Sequence, residues 1–464
     1  MSFTNKYAKL FKALLPAPFT IAVVLTLLTF LLALLFTKPE TSGFGEYTLK
    51  LIGSWEKGLG GSGGLTFALQ MMLMLVLGHS LALTTPVNGF LNKLTSYCRS
   101  TGKAALIVTF LTIVFSLFNW GLGLIFGALF ARKIAESAKI NSYAINYPLI
   151  GAAGYSGLMV WHGGLSGSAP LKIAEKDGIE KLFENYQLTP ELVEQLPTNV
   201  PFSETVFSGM NLTVALALLL ILPLTMYIIG KRIKPTSIDI SITQPIPKEN
   251  YHVSGAERLD YSRFLCVGFG SIILIYSIVK VFLISEEISW SFISPNYINL
   301  LLFGLALLLH ARFSLFLRSI DSAIGGAAGI LIQFPLYFGI LGLMKGSGMM
   351  SDISHFFAAH SNATTHPIFT FFSAGLVNIL VPSGGGQWAV QGPIIIESSL
   401  RQGLPLGKEI MAMSYGDQLT NMLQPFWALP LLAITGLKAK DILPYTLFIM
   451  LVGTLIFVTG LLLF

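Results

Sequence analysis

The sequence predicts an all-helical polytopic membrane protein, built as an inverted repeat with two opposed re-entrant hairpins and two broken transmembrane helices. Three observations lead there. Mean hydropathy is +0.71, and 53% hydrophobic against 11% charged residues describes all 464 residues, far from the mix of a soluble domain. Two long apolar runs, 104–131 and 366–400, are interrupted by polar and glycine residues. An Asn-to-Gly interval of 38 residues occurs twice, from Asn119 to Gly157 and from Asn378 to Gly416.

Taken in order, the first apolar run, Phe19 to Phe36, follows Lys6, Lys9 and Lys12. It is longer than a signal-peptide core and lacks a small-residue cleavage pattern, so it reads as a retained span. Runs near 65–84, 143–171, 207–230, 264–284, 297–311, 323–344, 410–436 and 442–464 are long enough to cross about 30 Å of hydrocarbon. The segment 231–263 carries Lys231, Arg232, Lys234, Lys248, Arg258 and Arg263 and reads as cytoplasmic. The acid-rich segment 172–206, with Glu175, Asp177, Glu180, Glu184, Glu191, Glu194 and Glu204, reads as an external connector.

Run 104–131 has basic residues at both ends, Lys103 and Arg132-Lys133, and breaks at Asn119-Trp-Gly121. A hairpin that enters and leaves from the cytoplasm accommodates both flanks, whereas a single span would not. Carrying the count forward gives 366–400 external ends, against which Arg401 and Lys408 count modestly. The expected division is a first half over 1–234, a cytoplasmic linker over 235–262 with a Pro-rich portion, and a second half over 263–464. The amphipathic stretches 86–100 and 349–362 precede the hairpins as candidate arms along the membrane surface.

Inside the second interrupted run, Val381-Pro-Ser-Gly-Gly-Gly-Gln-Trp-Ala-Val-Gln-Gly-Pro393 brings irregular backbone to membrane depth. Lipid tolerates that only where it packs on protein or lines a water-filled cavity. Downstream lie Ser414-Tyr-Gly-Asp-Gln-Leu-Thr-Asn421 and Gln424-Pro425, and the first half offers Gly154-Tyr-Ser-Gly157 through Trp161-His-Gly-Gly-Leu-Ser-Gly-Ser168 at the corresponding place. Paired interruptions of this kind point to a transporter binding site.

The two second-half motifs, with the chain length, resemble the AtoE-type short-chain fatty acid transporter family over essentially the whole chain. The resemblance implies the ion-transporter-superfamily fold, a multi-pass protein of the bacterial inner membrane, and a homodimer. It also implies uptake of a small monocarboxylate such as butyrate or an acetoacetate-like acid by symport with Na⁺ or H⁺; another small carboxylate, or export, is the alternative. Dicarboxylate members carry Ser-Asn-Thr at the hairpin tips, but here the tips read Phe118-Asn-Trp120 and Val377-Asn-Ile379, so only the Asn carries over.

No Lys or Arg lies in 104–131, 143–171, 366–400 or 410–436. A carboxylate there would be met by half-helix N-termini, amides and hydroxyls, which suits a monocarboxylate. Asn119, Asn378, Ser383, Gln387, Gln391, Thr420, Asn421 and Gln424 supply the polar groups, and Gly384, Gly385 and Gly386 let backbone approach the ligand or a facing helix. Trp120 and Trp388 line the tail pocket or pack. Na⁺ could be held at Asn119 and Asn378. Asp417, costing about 2.5–3.5 kcal/mol at mid-membrane, balances a cation, carries a proton, or is a helix-end carboxylate paired inside the bundle, with Gly157 and Gly416 at the ion-coupling breaks. His162 contacts substrate, shuttles a proton, or sits satisfied in the interior.

The composition argues against other classes. No basic block suggests nucleic acid, Cys98 and Cys266 imply neither a disulfide framework nor a metal site, and no resident cofactor beyond a bound Na⁺ is expected. Polar residues concentrated in two breaks argue against a channel, and no nucleophile–base or metal motif supports an enzyme.

Overall fold

A computed structural model describes residues 16–184, 189–242, 254–284 and 290–464. Lys6, Lys9 and Lys12, and 243–253 of the Pro-rich linker, lie outside the described residues. Within them every regular element is a helix, which satisfies its own backbone polar groups as hydrocarbon requires. Seven helices among these residues are long and apolar enough to cross a membrane.

The first series runs α1 Pro18–Phe36, α2 Phe44–Leu59, α3 Ser62–Ala82, α4 Thr85–Thr95, α5 Thr101–Phe118, α6 Trp120–Ile140, α7 Tyr147–Tyr155, α8 Ser168–Ala174, α9 Gly178–Phe183, α10 Pro190–Val193 and α11 Gly209–Arg232. After α12, Arg263–Val279, the second runs α13 Pro295–His310, α14 Phe313–Ile324, α15 Ala328–Ser347, α16 Met349–Ala359, α17 His366–Leu380, α18 Gly384–Arg401, α19 Leu406–Thr420, α20 Pro425–Thr435 and α21 Ala439–Leu463. The order repeats: a span, an amphipathic helix leading into a second span, an 11-residue arm, a helical hairpin, a broken segment and a long closing helix. The repeat of this order begins at α13, so α12 stands ahead of the second series and packs on its first helix.

Packing sorts the helices into two groups. In the scaffold, α15 lies against α1 and α2, and reciprocally α3 lies against α13 and α14. Hairpin α5–α6 packs on α7 and α11, and hairpin α17–α18 packs on α19, to form the hairpin group. Arm α4 rests on α6, and α16 on both helices of its hairpin, where Gln391 Nε2 donates to Ser354 Oγ at 2.8 Å.

The acid-rich segment is more than a connector. Its apolar residues Ile173, Ile179 and Val200 join Ala169, Trp388, Ile395 and Ile396 in a separate core over the second hairpin. The stub 233–242 is pinned to the first hairpin, where Lys139 Nζ donates to Ile240 O at 2.7 Å and Arg132 Nη2 to Ser241 O at 3.0 Å.

Within the scaffold, α2 and α15 cross where neither helix has a side chain. A Cβ on Gly58 would lie 2.9 Å from Gly342 Cα, and one on Gly342 2.9 Å from Gly58 Cα. Ser54 and Gly346, one turn away on each helix, extend this small-residue seam, the usual means by which helices approach closely in lipid. Gly342→Leu is expected to destabilise the protein by about 1–3 kcal/mol, the range for overpacking. Thermal unfolding followed by size-exclusion fluorescence in detergent checks this; an unchanged midpoint would contradict the close crossing.

Candidate functional site

The site is built where the two broken segments meet. After α7 the chain tightens into a 3-10 turn at Ser156–Met159 and runs irregularly to α8, while α19 ends in a 3-10 turn at Asn421–Leu423 before Gln424 and α20. Each break frees backbone groups, and each is satisfied from the other segment. Gln418 Oε1 accepts from the amides of His162 at 2.9 Å and Gly163 at 3.2 Å. In return the Tyr155 hydroxyl donates to the carbonyls of Asn421 at 2.8 Å and Gln424 at 3.0 Å. Asn211 adds a bond to Gly163 O at 2.9 Å and accepts from the Tyr415 hydroxyl.

His162 and Asp417 are joined directly, Nδ1 to Oδ2, with both side chains buried. The amide of Ala169 donates to His162 Nε2 at 3.0 Å, so that nitrogen presents a lone pair. The imidazole therefore carries its proton on Nδ1, facing the carboxylate. Asp417 Oδ1 is buried without a partner.

Asn378 sits in the last turn of α17, and its Nδ2 reaches Asp417 O at 2.6 Å, Thr420 Oγ1 at 2.9 Å and Asn421 Oδ1 at 2.9 Å. Gln424 Nε2 donates to Asn378 O, while Asn378 Oδ1 and Gln424 Oε1 have no partner. Asn119 differs: it is the one-residue break between α5 and α6, where its Oδ1 caps the Leu122 amide at 2.9 Å. By that capping role its counterpart is Ser383, which accepts from Gly386 N at 3.2 Å at the start of α18. Asn119 and Asn378 share no hydrogen-bonding partner, and no group of three or more His, Cys, Asp or Glu able to hold a metal occurs among the described residues.

The glycines at the ends of the repeated interval are packing positions. A Cβ on Gly157 would run into Ser116 of α5, and one on Gly416 into the Phe371 carbonyl of α17, so each lets a broken segment press on its own hairpin. Gln387 donates to Ala374 O and Gln391 within the second hairpin, and Trp388 is buried under the acid-rich segment; none of these three lines the cavity.

That cavity, about 640 Å³, opens between the hairpin tips and the scaffold. Ser383 to Gly386 form one wall, at the N-terminus of α18 where amides and helix dipole favour an anion. Trp120, Trp161, Trp427, Phe67 and Phe338 form an aromatic wall, with Trp120 and Trp427 edge to face at 5.1 Å. The indole N–H groups of Trp161 and Trp427 have no partner. Asp417 Oδ2 lies behind Gly384, 3.2 Å from where its Cβ would be, so the charged pair backs directly onto the wall. A larger hollow of about 810 Å³ between Pro16 and Lys440 is lined by none of these residues.

Sequence reasoning missed several of these groups. Gln418, Tyr155 and Trp161 lie inside the quoted motifs and Trp427 lies two residues beyond Gln424-Pro425, but none of them is among the expected site residues. Lys172 and Lys345 correct the expectation that no fixed cation attends the site: both line the cavity, Lys172 one residue beyond the run 143–171 and Lys345 on a scaffold helix. Burial holds Lys172 below the ordinary lysine range, with Glu175 opposing that shift.

The short chain fatty acid transporter family model matches residues 2–464. A relative from Escherichia coli (strain K12), named "Putative short-chain fatty acid transporter", is 37% identical over 97% of this chain and 96% of its own length. One of the same name from Haemophilus influenzae (strain ATCC 51907 / DSM 11121 / KW20 / Rd) is 34% identical over 99% and 97%. Solved structures of Neisseria gonorrhoeae MtrF and the Alcanivorax borkumensis YdaH transporter align at TM-scores of 0.46 and 0.43, with 15% and 14% identity over 98% and 96% of this chain and 97% and 98% of theirs. Likeness that slight carries no argument. With seven candidate spans and a family match along its whole length, the chain is a multi-pass membrane protein and belongs to the short-chain fatty acid transporter family.

Proposed function

We propose that this protein moves short-chain monocarboxylates such as butyrate across the inner membrane in symport with protons. The observation that carries the coupling is the buried His162–Asp417 pair, with one proton on Nδ1 and an unpartnered Asp417 Oδ1, directly behind the cavity wall. In that state the pair bears one negative charge. A substrate carboxylate a few ångströms away would be repelled by roughly 2–4 kcal/mol at an effective dielectric near 20. A second proton on Oδ1 removes the charge without disturbing the Ala169–His162 bond, so the anion binds best when the proton is aboard. One anion then travels with one proton, the loaded carrier bears the same charge as the empty one, and the net transport is electroneutral.

The repeated helix order supports reading the two series as inverted halves, with re-entrant hairpins opposed across the membrane. Loop charge supports a cavity open to the outside, because it is lined by residues next to the acid-rich segment.

Proteoliposomes loaded for labelled butyrate uptake test this under separate inward H⁺ and Na⁺ gradients. Wild-type uptake should follow H⁺, and Asp417→Asn should lower gradient-driven uptake by about 5- to 150-fold, the span of ordinary coupling energies, while sparing butyrate–butyrate exchange. A Na⁺-driven wild type indifferent to the pH gradient would instead favour a second reading. Its supporting observation is the set of unpartnered oxygens Asn378 Oδ1, Gln424 Oε1 and Asp417 Oδ1, the hard donors Na⁺ prefers.

The aromatic wall should read chain length. At about 0.8 kcal/mol per buried CH₂, butyrate should bind roughly 15-fold tighter than acetate. Phe67→Ala should shrink that ratio, measured as the two KM values; an unchanged ratio would place the alkyl tail elsewhere.

A further inference from the structure

Lys172 and Lys345 stand in the same cavity but belong to different bodies. Lys172 is carried by α8 in the hairpin group, Lys345 by the end of α15 in the scaffold. They are near enough for their charges to interact, and neither ammonium group makes a hydrogen bond or an ion pair among the described residues. Glu175 also lines the cavity and attracts Lys172, so the charges facing the space are two ammonium groups and one carboxylate. Lys172 Nζ is 3.4 Å from where a Cβ on Gly385 would lie, at the N-terminus of α18. That region presents two ammonium groups and a helix N-terminus on one cavity, with a single carboxylate among them. Like charges left facing one another across a boundary are separated by their repulsion until an anion arrives.

We propose that Lys172 and Lys345 form an anion-operated clasp, in which a substrate carboxylate seated between the two ammonium groups draws the hairpin group against the scaffold. The proposal deepens the carboxylate-transport reading and rests on it. The ligand is a monoanionic carboxylate with a short apolar tail: the head bridges the lysines and the tail turns toward Phe67, Trp120 and Trp427. The cation is split between the two bodies, so neither body alone holds the anion well. Binding is thereby tied to their approach. The like-charge repulsion also opposes closure of an empty, protonated carrier, which would otherwise dissipate the proton gradient.

The test uses the full-length protein with two probes, butyrate and its neutral isostere butyramide. Binding is followed by the fluorescence of the cavity tryptophans, and KM and Vmax by proteoliposome uptake. Lys172→Gln and Lys345→Gln should each weaken butyrate by about fivefold, the upper end for losing one exposed charge contact, and leave butyramide within about twofold. Lys345→Arg should stay near wild type, which separates loss of charge from loss of fold. Lys345→Glu should pair with Lys172 without substrate, abolishing uptake in a protein that remains monodisperse. Butyrate and butyramide weakened equally would reduce the lysines to a structural role, and butyrate unaffected by either Gln substitution would overturn the clasp. A wild type that neither binds nor transports butyrate would overturn the substrate reading itself.

Discussion

Everything in the site depends on how two stretches of non-helical backbone are kept hydrogen-bonded where water is scarce. An unsatisfied peptide group in hydrocarbon costs several kcal/mol, so a break in a spanning helix survives only if something replaces the lost helical partners. Here the replacement is reciprocal. Gln418 of the second segment serves the amides at 162–163, and Tyr155 of the first serves the carbonyls at 421 and 424. Neither break can be satisfied alone. The two halves of the chain are locked at their least regular points, and the functional groups are held by the same bonds.

This lock explains why His162 and Asp417 meet. The Gln418 bonds fix the backbone at His162, Asp417 precedes Gln418 on α19, and the two side chains are thereby brought face to face. The far side of the ring is fixed by the amide of Ala169, the second residue of α8, the helix that also carries Lys172. Any change in the ring's hydrogen bonding thus reaches, within one short helix, the lysine at the cavity mouth. The proposed proton site and the proposed anion site are thus joined by a seven-residue helix, a contiguous physical route by which one can act on the other.

The sequence made the hairpins and the breaks legible because both violate a strong rule: apolar runs do not contain Asn-Trp-Gly or Ser-Gly-Gly-Gly without cause. Asp417 was legible for the same reason, as a lone carboxylate at membrane depth. What pairs with it was not, since the distance along the chain from His162 says nothing about a junction made by Gln418. Gln387, Gln391 and Trp388 fall in the most conspicuous motif, yet they bind α18 to α17, α16 and the acid-rich segment. A polar residue in a motif can serve the backbone next to a site as readily as the ligand in it. The lysines were invisible for a different reason. Lys172 lies one residue past the broken run 143–171 and Lys345 on a scaffold helix, and only tertiary packing turns both into one cavity.

The bonding is also unevenly distributed, and that bears on what can move. Ser80 bonds His310 at 3.1 Å and Ser319 at 2.5 Å inside the scaffold, and Asn299 bonds Gln70 O at 2.9 Å there. The bonds of the two breaks lie inside the hairpin group. Beside the cavity, by contrast, the two groups meet through rings: Phe67 with Trp120 and Trp427 at 6.0 and 5.9 Å, and Phe334 and Tyr337 with Phe426 at 4.0 and 4.7 Å. Ring contacts keep most of their energy through small displacements, because dispersion and apolar burial are not directional, whereas a hydrogen bond weakens steeply once its angle is lost. Two bodies rigid within themselves and apolar where they touch can therefore shift against one another more easily than either can deform. The cavity lies on that boundary, so a ligand bridging it acts where the two groups are joined by ring contacts and not by directional hydrogen bonds.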